Sequence, residues 1–330
     1  MNSTQDKRIP VTVITGYLGS GKTTLLNRLL QARKDSNILV VMNEYGEIDI
    51  DGKLLYSGEE QLVEFNNGCL CCTVRQDLVR MLTEAASSDC DGVLIETTGL
   101  ADPAPVASTF FVIPEVRDRY RLDSFITVVD AYNISESLKD SHEAMEQVSF
   151  ADILVLNKID AIDEKQRNFL EERIRTMNPT AELYAVTNCD VDPEKMLNVD
   201  AFHLEAKLKV DAGFLDDVPH EHDNSITSLV LTDDRPIDVT YFQAYIADIL
   251  NRQSMQILRS KGVFYASRSQ DTKMVFQTVR MLSAIEKGDP WEANEAKKTE
   301  YVVIGRNLNR DELQRAMNLS ARKLRAKSTS

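Results

Sequence analysis

The chain has 330 residues, 43% hydrophobic and 27% charged, the balance of a soluble globular protein with room for one large domain or two ordinary ones. Its formal net charge of −14 argues against a general nucleic-acid binder, which would be basic, and suits cationic ligands such as metal ions. No apolar run approaches a membrane span, the N-terminus MNSTQDKRIP lacks a signal-peptide core, and the five cysteines are odd in number and mostly clustered. A reducing, cytoplasmic setting without membrane or nucleic-acid partners is the expectation.

A first β-branched strand at 11–15 leads into GYLGSGKTT (16–24) and then an amphipathic helix at 24–34. The stretch fits G-x-x-x-x-G-K-[ST] between a strand and a helix, the setting that gives the pattern its meaning. Gly16, Gly19 and Gly21 let the backbone wrap with Ser20 so that N–H groups converge on phosphate oxygens. Lys22 is expected on the β- and γ-phosphates, the Thr23 hydroxyl on Mg²⁺, and Thr24 in the same nucleotide-binding turn. A second strand at 38–43 ends in the acidic loop NEYGEIDID (43–51), which holds Glu44, Glu47, Asp49 and Asp51 where a nucleotide-sensing loop is expected.

GCLCCT (68–73) then sets Cys69, Cys71 and Cys72 within four positions. Adjacent cysteines have Cα atoms ~3.8 Å apart, below the ~4.4 Å lower end of ordinary disulfides. The three thiols converge only if the chain turns, as Asn66, Asn67 and Gly68 allow. Converging thiolates make a soft site for Zn²⁺ or Co²⁺, with Glu44 as a candidate fourth ligand. Small cysteines packed into a core, or a redox dithiol, are the alternatives that spacing leaves open.

After a helical pattern at 74–86 comes a strand at 92–96 ending in ETTG, where Glu96 can hold Mg²⁺ and Gly99 can present its N–H to a γ-phosphate. A strand at 125–130 ends in Asp130, read either as another functional carboxylate or as a cap or ion-pair partner. A helix at 141–149 and a strand at 153–157 follow, then NKID (157–160). Here Asp160 can accept the guanine N1–H and exocyclic amine, a donor pair adenine lacks. Asn157 would tie loops together and Lys158 would lie along the base. A helix at 164–177 and a strand at 183–187 complete the alternation. Buried parallel strands alternating with helices define an α/β, doubly wound, mainly parallel sheet of P-loop type.

From 201 to 224 the pattern breaks into an acidic linker with His220 and His222, whose metal binding the sequence leaves open. A smaller C-terminal α+β domain, 225–330, is expected beyond the GTPase-like domain at 1–200. Its elements read as a strand at 226–232, a helix at 239–251, strands near 257–267 and 274–285, a strand at 301–304 and a helix at 310–319.

Taken in order, GYLGSGKTT, NEYGEIDID, GCLCC, ETTGLADP and NKID resemble the CobW-type family of P-loop GTPases, metallochaperones and metallocentre-assembly proteins. LRSKGVFYA, GDPW and VVIGRNLNRDEL extend the likeness into the C-terminal domain. The resemblance implies slow GTP hydrolysis, cofactors GTP and Mg²⁺, and a cargo metal on Cys69, Cys71 and Cys72, while the residues themselves offer Lys22, Glu96, Glu47 and Asp49 as catalytic candidates and Glu44 as a fourth ligand to Zn²⁺ or Co²⁺. It also implies delivery to a client metalloprotein. Two departures matter. The histidine-rich stretch of many members shrinks to His220 and His222, and NSTQDKRIP lacks the proline- and leucine-rich docking motif of the methionine aminopeptidase activators. The competing classes are a P-loop small-molecule kinase with structural cysteines and a non-catalytic GTP-binding metal buffer. No glutamine stands in an evident water-positioning place.

Overall fold

The structure is a computed structural model, and it describes residues 6–43, 61–65, 73–84, 90–99, 101–135, 138, 141–202, 226–252 and 255–322. Chain packing divides it into two units, Met1–Glu171 with Ala181–Phe202, and Glu172–Thr180 with His203–Ser330.

The first unit is built on a seven-stranded sheet of order β3-β2-β4-β1-β5-β6-β7, parallel throughout. Its strands are β1 (Ile9–Thr15), β2 (Ile38–Asn43), β3 (Gln61–Phe65), β4 (Gly92–Glu96), β5 (Tyr120–Asp130), β6 (Ile153–Asn157) and β7 (Glu182–Ala185). Its helices are α1 (Lys22–Ala32), α2 (Thr73–Glu84), α3 (Pro103–Val112), the single turn α4 (Pro114–Arg117), α5 (His142–Phe150) and the first part of α6 (Glu164–Met177), which from Glu172 on is counted with the second unit. Every residue of β4 and β6 is buried, because helices cover both faces of a doubly wound sheet. Leu25, Leu26, Leu29 and Leu30 form the stripe by which α1 packs on Ile14, Val40, Leu94 and Val128.

Register fixes which residues share the carboxyl edge. Ile14 pairs with Glu96, and Asp130 lies directly beside Asn157. The loops after β1, β4, β5 and β6 therefore open on one side of the sheet, where ligands of open α/β folds bind.

The second unit holds a five-stranded antiparallel sheet of order β11-β10-β9-β12-β8. It comprises β8 (Thr227–Asp233), α7 (Val239–Arg252), β9 (Gln256–Ala266), β10 (Ser269–Val279), β11 (Leu282–Pro290), β12 (Thr299–Arg306) and α8 (Arg310–Arg322). Phe242 from α7 meets Phe264, Phe276 and Tyr301 at ring-centroid separations of 5.0, 5.7 and 5.2 Å, an aromatic core of the kind that dominates packing energy in small domains. The buried Tyr301 hydroxyl is satisfied by Ser260 Oγ at 2.8 Å.

Three differences from the sequence reading emerge. The segment read as one strand at 274–285 is a hairpin, β10 and β11, turned at Arg280 with φ +52°. Strand β3 and helix α3 were not expected at all. Among the described residues no helix is long and apolar enough to cross a membrane.

Candidate nucleotide and metal site

The phosphate loop runs from the end of β1 to the first turn of α1, whose N-cap, Gly21, has φ +111° and gives no side-chain cap. The leading N–H groups of α1 are left for an anion rather than satisfied internally. A Cβ on Gly21 would lie 2.7 Å from Asn157 Nδ2 and 3.1 Å from Cys189 Sγ, so glycine is required there on conformation and on space. The Lys22 ammonium donates to Tyr17 O at 3.3 Å, folded back over its own loop. Burial lowers its pKa, with the Glu96 carboxylate pulling the other way. Ser20 is fully buried and its carbonyl accepts from Asn157 Nδ2 at 3.0 Å. Thr24 stands exposed in the first turn of α1.

Thr23 and Glu96, both expected at Mg²⁺, are brought together. The Thr23 hydroxyl donates to Glu96 Oε1 at 2.9 Å, although the two residues come from different elements. Glu96 is 7% exposed. A hydroxyl and a carboxylate side by side at the mouth of a phosphate loop are the hard oxygen donors Mg²⁺ takes, so the residues present fit that ion.

Gly99 packs against the phosphate loop itself, and a Cβ there would lie 2.8 Å from Leu18 N. Gln147, on α5, donates from Nε2 to the carbonyls of Gly99 and Ala101. The sequence reading had passed over this residue. The available signal was a glutamine on the buried stripe of a helix, in line with Ala144 and Val148.

On the base side, Asn157 uses both ends of its amide. It donates to Ser20 O and accepts from Cys189 N at 2.8 Å, joining three loops. Cys189, another residue the sequence reading left without a role, is fully buried and its thiol donates to Gly21 O at 3.4 Å. Burial pushes that thiol up to about 11, against the opposing pull of Arg28 and Lys158, so it stays protonated at neutral pH. Lys158 has φ +63° and its ammonium donates to Gly19 O at 2.8 Å and to Asp130 Oδ2 at 2.7 Å. The same Asp130 carboxylate accepts from the backbone N–H of Tyr132 and Asn133 and from Asn133 Nδ2. Asp130 is thus an ion-pair and turn-capping residue, the structural alternative weighed above. Burial works against its ionisation, but the bonds from Lys158 and Asn133 outweigh it and hold the carboxyl below the ordinary aspartate range. Asp160 lies exposed in the turn Ile159–Ala161 after β6.

Glu44, Glu47, Cys69, Cys71, Cys72, His220 and His222 fall outside the described residues. Among the described residues no group of three or more His, Cys, Asp or Glu is placed to hold a metal ion.

The parallel sheet, the glycine-rich loop with its lysine, the threonine–carboxylate pair and the NKID turn define a P-loop GTPase. The profile of the CobW/HypB/UreG nucleotide-binding domain matches residues 10–185, and that of the cobalamin synthesis protein CobW C-terminal domain matches 226–319. The chain belongs to this family. It is 32% identical over 317 residues to the zinc chaperone YjiA of Escherichia coli, covering 93% of this chain and 97% of that one. It is also 32% identical over 302 residues to the zinc-regulated GTPase metalloprotein activator 1 of Dictyostelium discoideum, covering 78% of this chain and 62% of the relative. A crystal structure of a Zn(II)-bound YjiA GTPase, a triple mutant with one glutamate and two cysteines replaced by alanine, superposes with a TM-score of 0.74 at 29% identity. It covers 97% of this chain and 99% of that one.

Proposed function

We propose that this GTPase is a cytoplasmic metallochaperone that binds zinc, or cobalt in its place, on Cys69, Cys71 and Cys72 with Glu44, and passes it to a client metalloprotein under nucleotide control. Residues 1–200 would form the GTPase domain, 201–224 a linker and 225–330 the domain that meets the client. The observation that carries the nucleotide half is the Thr23–Glu96 pair beside an uncapped α1 and an exposed Asp160 on the same sheet edge. The metal half rests on the C-x-C-C spacing and on relatives described as zinc chaperones.

In this reading the N–H groups of 16–24 and Lys22 hold the β- and γ-phosphates, Gly99 contributes its N–H to the γ-phosphate, and Asp160 reads guanine while Lys158 stays on Gly19 O. Thr23 and Glu96 would hold Mg²⁺, which when bound would supply charge neutralisation for the phosphates. Glu47 is a candidate for orienting water. The acidic loop and the thiol segment lie in sequence between the phosphate loop and Glu96, so γ-phosphate contacts can bias the metal site. Linkage then requires bound metal to tighten GTP by the factor by which GTP tightens metal.

A relative that holds Zn(II) with a glutamate and two cysteines replaced shows that zinc in a crystal does not identify a thiolate site. The test therefore has to see sulfur. An anaerobic Co²⁺ titration of the reduced protein, with and without Mg²⁺ and a non-hydrolysable GTP analogue, should give an intense thiolate-to-metal band that strengthens with nucleotide. Cys71→Ser should abolish it. A band unchanged by that substitution, or none under either condition, ends the thiol proposal and leaves the GTPase. Multiple-turnover phosphate release from GTP excludes a passive buffer.

A further inference from the structure

The turn that carries Gly99 is gripped from both sides. On one side Gly99 lies against Leu18 of the phosphate loop, with no room for a side chain. On the other stands Gln147, 1% exposed, whose Nε2 donates to Gly99 O at 3.1 Å and to Ala101 O at 3.2 Å. Two carbonyl acceptors fix which way the amide faces, since the flipped amide would set oxygen against oxygen. The helix behind it is tied to the central sheet, because Thr127 Oγ1 on β5 donates to Gln147 O at 2.9 Å.

The remaining acceptor, Gln147 Oε1, is buried and has no hydrogen-bond partner among the described residues. Gln147 lines a cavity of about 20 Å³ together with Tyr17, Leu18, Thr127 and Asn133, room for one water. A leucine or methionine would fill the same space on a buried helix face with no polar atom to satisfy. What glutamine adds is the hold on the Gly99 turn.

We propose that Gln147 is a positioning residue for the nucleotide state. It holds the Gly99–Ala101 turn against the phosphate loop, so that the Gly99 N–H meets a γ-phosphate, and it transmits that contact to α5. This rests on the assignment of Gly99 to the γ-phosphate made above. A side chain that touches neither nucleotide thereby sets the preference for triphosphate over diphosphate. Gln147→Leu removes the grip, and Gln147→Glu keeps the shape while turning a carboxylate on two carbonyls.

The test compares both variants with the wild-type protein for GDP affinity, affinity for a non-hydrolysable GTP analogue with Mg²⁺, single-turnover hydrolysis and thermal melting. Binding of GDP should stay within about twofold, while analogue affinity and hydrolysis each fall about tenfold or more, Gln147→Glu at least as far as Gln147→Leu. Equal losses for both nucleotides, or none, overturn the proposal and make Gln147 a packing residue. Failure of the wild-type protein to bind GDP would instead overturn the guanine-nucleotide reading. If the variants melt too early to assay, hydrogen exchange on the wild type decides. Amides of 142–150 should be slowed by the analogue more than by GDP, and equal slowing rejects the coupling.

Discussion

The two halves of the nucleotide pocket share one sheet edge but are built on different terms. On the base side the polar groups are already paired with one another: Asn157 spans Ser20 and Cys189, and Lys158 is pinned between Gly19 O and Asp130. On the phosphate side the contacts are stand-ins. Lys22 folds back on Tyr17 O, Thr23 leans on Glu96, and the first turn of α1 has no side-chain cap among the described residues. In the proposed reading a ligand entering the base side would displace little, so that half would be preorganised and would contribute affinity for any guanine nucleotide. A ligand entering the phosphate side, held as proposed, would have to take Lys22 from Tyr17 and part Thr23 from Glu96. That half is where the presence of a γ-phosphate can change the structure, which is what a switch requires.

The largest way to break this contrast is at Lys22. Lys22→Ala removes the one cation of the phosphate loop, and hydrolysis should fall by about a hundredfold or more in single-turnover assays. Melting of the ligand-free protein should hardly move, because among the described residues the ammonium makes one long bond, to Tyr17 O, and its burial disfavours the charge. A large loss of stability with little loss of rate would mean that Lys22 is a structural residue and the two halves are alike.

Next in size is specificity at the base. Asp160→Asn exchanges an acceptor pair for an amide that offers a donor, so GTP should weaken by about a hundredfold. Xanthosine triphosphate, which carries a carbonyl where guanine has its amine, should gain. Competition binding with the two nucleotides measures both at once. Parallel weakening of the two would show that Asp160 shapes the turn instead of reading the base.

Much of this contrast was legible in the residues, and the reasons are physical. Strands such as β4 and β6 announce themselves because burial on both faces makes every position apolar, and the motifs hang on their ends. Helix α3 is silent for the complementary reason. PAPVASTFFV is buried at Pro103, Ala104, Val106, Ala107, Thr109 and Phe110, so it has no polar face to give a period, and its prolines suggest a loop although Pro103 sits in the permitted first turn. Strand β3, QLVEF, is a five-residue edge strand beside acidic neighbours. The β10–β11 turn carries Arg280 at positive φ, without the glycine or asparagine that usually marks such a place. Gln147 and Cys189 could not be read from spacing at all, because the partners of the Gln147 amide lie 46 and 48 positions away in sequence and those of Cys189 N and Sγ lie 32 and 168 away.

The smallest expected effect tests the preorganised side alone. Asp130 has its carboxyl held below the ordinary aspartate range by Lys158 and Asn133 despite its burial. A carboxyl depressed in the folded state binds fewer protons folded than unfolded. The stability it contributes is therefore complete above the unfolded value of about 4 and drains away as pH falls through the lower folded value. Asp130→Asn keeps an acceptor for the N–H groups of Tyr132 and Asn133 but gives up the charge opposite Lys158, and it cannot titrate. At pH 7 the variant should be less stable by about 1 kcal/mol or less, since Lys158 is partly exposed and solvent screens the pair. Melting curves taken from pH 7 down to about pH 3 should show the gap between the two proteins narrowing below about pH 4. A gap that stays constant across that range would mean that the geometry of the turn, and not the ion pair, is what Asp130 provides to the base side. The double change with Lys158→Met gives the same answer by another route: if the pair is the unit, the second substitution should cost almost nothing once the first is made.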